Sequence, residues 1–550
     1  MKKKVLLFFA MAMLSVMGAK ADVIPSSYYS EPAAGDFYLY NVNQGQFLDR
    51  LGSNFPTLNS TPVKFTLAVD GTGYTIKYTS NTGYSLHTGY WNNQYLWVDA
   101  GNASSGYVWT FDAIGGRTKT YQLKRTEEET QEGKTGTFYA NGTNADTSPT
   151  DDCQWALITE SDYNKYYYTN LVDRDSSIPS SFFMTTPTAG TYYLYNIEKN
   201  GFLCDGNNYV GLQSSPVALT LTSDGNGAFY IQLPDNGYLH TGYYSNFHVW
   251  ADGATITASG DYAANWTFES FYGVSGVFFV KSPETTVNGV TGNWHLHATG
   301  IANNGVNAWP TPDANRTNYA WALISEYDYT AWKNGGYTLD EATGYSAERN
   351  IEGVNVTMNK AMTAGVWNTF VVPFDMAIPS GWTVKEPTDF DGSTLFFSNA
   401  SSIVAGKPYI VKPESAVTSF SATKVTLKKD LEPTTVGTGS TVTMTGTYEQ
   451  IAAIDYSTQD SYVIGLKDGV SSLYKVNSDV SLKPFRAYFT IPGVSSARIA
   501  IGFDDETTGI KNLTPALSEG EGAVYDLQGR RVAQPTKGLY IVNGKKVMVK

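Results

Sequence analysis

The strongest constraint on this chain is that it says the same thing twice. "AGDFYLYNVNQGQFLD" (Ala34 to Asp49) returns as "AGTYYLYNIEKNGFLC" (Ala189 to Cys204), 155 residues later. Further landmarks follow in order: His87 matches His240, Trp97 matches Trp250, Trp109-Thr110-Phe111 matches Trp266-Thr267-Phe268, and "WALITESDY" from Trp155 matches "WALISEYDY" from Trp321. Each copy also repeats inside itself. Strands open at Tyr38, Tyr74 and Tyr121, and again at Tyr193, Tyr230 and Phe279. Each is followed by a Gly-x-aromatic type of strand and then by a closing strand, "FTL", "WTF", "WAL" and then "LTL", "WTF", "WAL". Apolar residues alternate in these segments, as half-buried strands require. Units of this size cannot bury a face alone, so three of them must pack around a shared axis.

Three such units resemble a β-trefoil, and the Gln154-Trp155 and "WTF"/"WAL" endings are similar to the Gln-x-Trp repeats of the ricin-type lectin family. The likeness covers 34–163 and 189–329, without the family's repeated cysteines. The expectation is an all-β chain with two tandem β-trefoil-like domains. With 14% aromatics, 39 Tyr and 52 Gly, the composition suits short twisted strands and many turns. No stretch carries sustained helical periodicity.

The flanks differ. "MKKKVLLFFAMAMLSVMGAKAD" joins lysines, an apolar run and the small-x-small Ala19-Lys20-Ala21, which predicts a signal peptide over 1–21. Its removal takes four lysines with it and moves the net charge from −13 to −17. Such acidity argues against nucleic acid as a partner. Two cysteines, Cys153 and Cys204, make no disulfide framework. After Trp332 the composition shifts to a linker-like stretch, 333–350, and then to alternating strands over 351–504, read as a β-sandwich domain. Asp468-Gly469 predicts a tight hairpin turn there.

The tail, 518–550, is similar to the C-terminal sorting domain of type IX secretion substrates. Tyr525-Asp526, Gly529-Arg530, Gly538-x-Tyr540 and the Asn543-Gly544-Lys545-Lys546 hairpin carry the likeness. It implies a small Ig-like β domain, the type IX machinery as a partner, and export through periplasm and outer membrane of a Gram-negative bacterium to an extracellular or outer-surface location.

Sugar binding needs a ring to cover the apolar face of a sugar and an acid, amide or imidazole for its hydroxyls. By the ricin-type likeness, Asp49, His87 and His240 stand at the position of that polar group, and Asp205 stands one residue late beside Cys204. The aromatic partners are Tyr90, Trp91 and Trp97 in one copy and Tyr243, Tyr244 and Trp250 in the other, with Asp99 and Asp252 as further acceptors. The bland reading is that Trp97 and Trp250 are core and that each His bonds a turn. Trp109, Trp155, Trp266 and Trp321 belong to the core. A zinc site would have to draw on His240, His248, His295 and His297; no ligand spacing supports it, and no metal or cofactor is expected. Asp224-Gly-Asn226-Gly reads as a turn, Glu160, Asp162, Glu326 and Asp328 as turn caps, and "RTEEETQEGK" (125–134) as a solvated excursion. No nucleophile, zincin or Walker motif is present, so no catalytic residue is expected. The reading is a secreted or surface protein that binds glycans or glycoproteins. The alternatives are a structural or protein-interaction surface protein, and a hydrolase with its site in 351–504.

Overall fold

The computed structural model describes residues 23–50, 54–100, 107–206, 209–234, 237–253, 263–312, 316–347, 349–437, 441–452, 460–476, 481–504, 524–532, 535–542 and 545–549. The expected signal peptide and the Asn543-Gly544 turn lie outside them. Two compact units divide between Tyr337 and Thr338.

The first unit holds two twelve-stranded sheets, one per copy. In each the first strand closes on the last: Tyr38 faces Ile158 and Asn41 faces Trp155, and 155 residues on Tyr193 faces Ile324 and Asn196 faces Trp321. Twelve strands closed first to last in three repeats are two tandem β-trefoil-like domains. The closing strands explain the "WTF" and "WAL" signatures. Trp109, Trp155, Trp266 and Trp321 are fully buried. Each indole N–H donates to a carbonyl of an earlier strand in its copy: Leu86 O at 2.8 Å, Ala140 O at 2.8 Å, Leu239 O at 2.8 Å and Leu296 O at 3.0 Å. In the first repeat of each copy, "FTL" and "LTL", Phe65 and Leu219 take the Trp position and are fully buried, with no N–H to place.

Among the described residues, two α-helices depart from the all-strand expectation. Glu160–Asp175 (α1) and Glu326–Lys333 (α2) follow the last strand of each copy. Thr159 Oγ1 accepts from Asp162 N at 3.1 Å, and Ser325 Oγ from Asp328 N at 3.0 Å, so the recurring acids start helices rather than cap loop turns. Helix α1 carries Tyr163, Tyr166, Tyr167 and Tyr168, which spread around it and leave no apolar stripe to read. Tyr163 packs edge-on against Tyr38, and Tyr168 stacks on Tyr272 of the second copy with ring centres 4.5 Å apart. Asp224 Oδ1 accepts from Asn226 N and Ala228 N, the turn expected there.

In the second unit, Ile351–Met362 and Val417–Leu427 form a three-stranded sheet with Tyr337–Asp340, which lies inside the stretch read as linker. A ten-stranded mixed sheet faces it, and Phe420 of the former packs on Phe370 and Trp382 of the latter. Asp468 and Gly469 have φ of 53° and 75° and join Lys467 to Val470, the tight turn the sequence predicts. The tail forms a four-stranded antiparallel sheet. Its Asp-x-x-Gly-Arg turn is held by Asp526, whose Oδ1 accepts from Gln528 N and Arg530 N while Oδ2 takes Arg530 Nε at 2.8 Å. These bonds, led by the Arg530 backbone N–H, hold the Asp526 carboxyl below the usual carboxylate range.

Candidate functional site

Eight of the ten candidate residues, all but Asp49 and Asp205, fall on one hairpin in each copy, Ser85–Trp91 with Gln94–Asp99 and Tyr238–Tyr244 with Phe247–Gly253. Each hairpin turns through two residues at positive φ, Asn92 (52°) and Asn93 (62°), or Ser245 (52°) and Asn246 (67°). That is a type I′ turn, which matches strand twist. An Asn from the third repeat clamps it. Asn144 Oδ1 accepts from Tyr95 N at 2.7 Å and its Nδ2 donates to Asn93 O at 3.0 Å. Asn307 does the same with His248 N at 2.8 Å and Asn246 O at 3.2 Å. Asn307→Ala removes both bonds and leaves two turn groups wet or unpaired. The expected cost is about 1–3 kcal/mol, read by denaturant unfolding, with faster amide exchange at His248.

The register slips by one residue after Thr88 and again after Thr241. This bulge breaks the strand alternation, so two successive aromatic rings face outward. Tyr90 and Trp91 are exposed, Trp91 at 59%, as are Tyr243 and Tyr244, the latter at 67%. Gly89 and Gly242 sit in the bulge. A Cβ at either would come within 3.3 Å of the Trp97 or Trp250 indole, which lies over it.

The imidazoles are interior. His87 is directly opposite Trp97, and His240 opposite Trp250. His87 Nδ1 meets Thr88 O at 2.9 Å and Nε2 meets Asp99 Oδ1 at 2.8 Å. His240 meets Thr241 O at 2.7 Å and Asp252 Oδ1 at 2.6 Å. Both rings are buried and bonded on both nitrogens, and so brace the hairpin. The acids are the more open members of each pair: Asp252 is exposed at 47%, and Asp99 is half-buried at 18%.

Trp97 is half-buried and Trp250 buried. Each takes a ring from the first repeat that the sequence did not single out. Phe55 lies 4.6 Å from Trp97 and stacks on Trp91 at 5.9 Å. Tyr209 lies 4.9 Å from Trp250, with Tyr244 edge-on at 5.6 Å. Trp97 Nε1 is a buried donor with no acceptor among the described residues. Asp49 is buried, accepting from Arg50 N at 2.7 Å and Asn59 Nδ2 at 3.4 Å. Asp205 is half-buried on Gly201–Gly206, the strand paired with that of Tyr209.

The acidic run at 125–134 is more than a solvated excursion. Arg125 is buried and pairs with Glu129, which also takes the Thr88 hydroxyl and so ties the run to the first hairpin. Glu129–Gln131 and Lys134–Gly136 form a two-stranded ribbon. Among the described residues no group of three or more His, Cys, Asp or Glu could hold a metal ion. His248 stacks on Trp294 at 4.8 Å, and His297 lies 4.7 Å from Tyr319. Burial pushes His248 and His295 below the usual imidazole range. Cys153 and Cys204 are free, buried thiols, and burial pushes Cys204 up to about 11.

No family model matches the chain, and no curated protein matches it. Among solved structures it is similar to a salivary protein from Culex quiquefasciatus of the Cysteine and Tryptophan-Rich (CWRC) family, at 18% identity and a TM-score of 0.21, over 26% of this chain and 98% of that one. It is similar to the BEL β-trefoil at 16% identity and a TM-score of 0.19, over 24% and 97%. It is also similar to the GH43 β-1,3-galactosidase BT0265 at 10% identity and a TM-score of 0.19, over 53% of this chain and 65% of that one.

Proposed function

We propose that this is a secreted or cell-surface, non-catalytic protein that binds glycans or glycoproteins through its two trefoil-like domains. The observation that carries the reading is the pair of outward aromatic rings at one hairpin position in both copies, Tyr90-Trp91 and Tyr243-Tyr244. Each pair stands at a turn clamped from the third repeat, on a hairpin that also carries a carboxylate bonded to its buried His. Rigid aromatic surface next to hydrogen-bonding groups suits a sugar's C–H face and hydroxyls. Each such site is small and weak alone. Two on one chain gain by effective concentration when the ligand repeats. The sorting-type tail would deliver the protein to the surface, with Asp526 fixing the fold of its signature turn.

The test is a glycan array probed with the full chain and with Trp91→Ala/Tyr244→Ala. Both side chains are more than half exposed, so the variant should keep its unfolding midpoint. The expected result is binding that falls at least tenfold in the double variant. A wild-type chain that binds no glycan would move the reading to a protein-interaction surface, for which exposed Tyr and Trp are equally apt.

A further inference from the structure

In the second unit two strands face each other across a gap without pairing. Ser461–Lys467 pairs its hairpin partner along its length, from Tyr462–Lys475 to Lys467–Val470. On its other edge it pairs Arg486–Thr490 only at Ser461 and Tyr462. From Val463 onward that edge is open among the described residues. Across the gap, Asn368–Phe370 pairs Tyr409–Pro413 on one side alone. Just beyond its end, Val371 N reaches Phe485 O at 3.3 Å, so the sheet nearly closes there and then splays. The splay leaves a cavity of about 300 Å3, lined by Trp367, Asn368, Ile464, Leu466 and Arg486 among others. An open strand edge is a template for another strand.

Arg486, on the cavity wall, belongs to an unbalanced cluster of charges. Arg486 Nη2 donates to Glu341 Oε2 at 3.0 Å. The same carboxylate oxygen is 3.9 Å from Lys360 Nζ, which is fully buried and has no hydrogen-bond partner. Two cations therefore share one carboxylate, with Lys483 adding a third positive charge nearby. Burial first, and then Arg486, lowers the Lys360 amine to about 7. A carboxylate arriving at Arg486 would relieve that excess.

We propose that this seam binds an extended peptide as an added strand, with apolar side chains against Trp367, Ile464 and Leu466 and an acidic side chain at Arg486. Backbone pairing to the Val463–Lys467 edge supplies affinity, and the acid fixes register. Leu466, 53% exposed, marks the open mouth of the slot.

The experiment is fluorescence anisotropy with the full chain and a labelled Thr-Val-Glu-Val-Thr-Val peptide. Three controls accompany it: the Gln analogue, the Glu peptide N-methylated at alternate residues, and hexanoate as competitor. The Glu peptide should bind at least tenfold more tightly than the Gln peptide. N-methylation should abolish binding, because the bulky groups block one edge of a strand. Leu466→Asp, at an exposed position that folding tolerates, should weaken the Glu peptide at least tenfold. Equal affinity for Glu and Gln peptides, unchanged binding after N-methylation, hexanoate competing as well as the peptide, or an unaffected Leu466→Asp protein would each overturn the proposal.

Discussion

Trp266→Ala is expected to lower the stability of the first unit more than any substitution at the exposed hairpins. The indole is fully buried in the core of the second copy, among Leu221, Ile231, Leu239 and Val280. Truncating a buried Trp to Ala costs about 3–5 kcal/mol through lost transfer energy and the cavity left behind. The loss also strips Leu239 O of its donor at 2.8 Å, and an unsatisfied buried carbonyl adds about 1–3 kcal/mol. Leu239 immediately precedes His240, so the strand that loses its stitch is the one carrying the brace and the bulge. Trp109→Ala should behave alike, since its indole bonds Leu86 O, next to His87. The measurement is the denaturant midpoint at unchanged m-value, with Trp91→Ala, expected within about 0.5 kcal/mol of wild type, as the surface control. A shift below about 1 kcal/mol for Trp266→Ala would mean that the repeated indole bonds do not hold the trefoils together.

Those stitches show why so much of the fold was legible. A closing strand that must bury a large ring and also bond its N–H leaves a repeated Trp at fixed spacing, and duplication makes the spacing visible. Alternation and turn chemistry did the same for the strands and for Asp468-Gly469. The helices escaped because helix α1 is studded with tyrosines on several sides and shows no apolar stripe. Its signal was local, the Thr159-x-x-Asp162 capping pattern, which fits a loop turn equally well until the next four residues are seen to be helical. The candidate site was legible by residue type and not by environment. The bulge at Gly89 and Gly242 decides which aromatics turn outward, and nothing short of the register reveals it. His87 and His240 look like ligands in the sequence, but each is consumed by a carbonyl and a carboxylate. Phe55, Tyr209, Asn144 and Asn307 come from other repeats, so only the packing of three units brings them to the hairpin.

Lys360→Met is expected to stabilise the second unit, and by an amount that depends on pH. The alternation of Ile351–Met362 puts Val354, Val356, Met358, Lys360 and Met362 on one buried face, so the lysine occupies a core position. Its amine titrates near 10.5 when free in the unfolded chain and near 7 in the fold, chiefly because burial disfavours the charge. Above pH 10.5 the amine is neutral in both states and carries no penalty. As pH falls from 10.5 towards 7, the unfolded chain takes up the proton and the folded chain resists it, so folding loses stability throughout that window. Below 7 both states are charged and the loss is constant. A shift of this size corresponds to on the order of 3–5 kcal/mol, which a methionine of similar length avoids while Arg486 keeps its pairing with Glu341. Urea unfolding of both proteins at pH 7 and pH 9.5 is the check. The Met variant should lead clearly at pH 7, and its lead should shrink at pH 9.5. An equal lead at both values would show that Lys360 is not charging against the fold. A less stable Met variant would show that the Lys360–Glu341 attraction outweighs desolvation, and that the three charged groups of the seam hold the unit together.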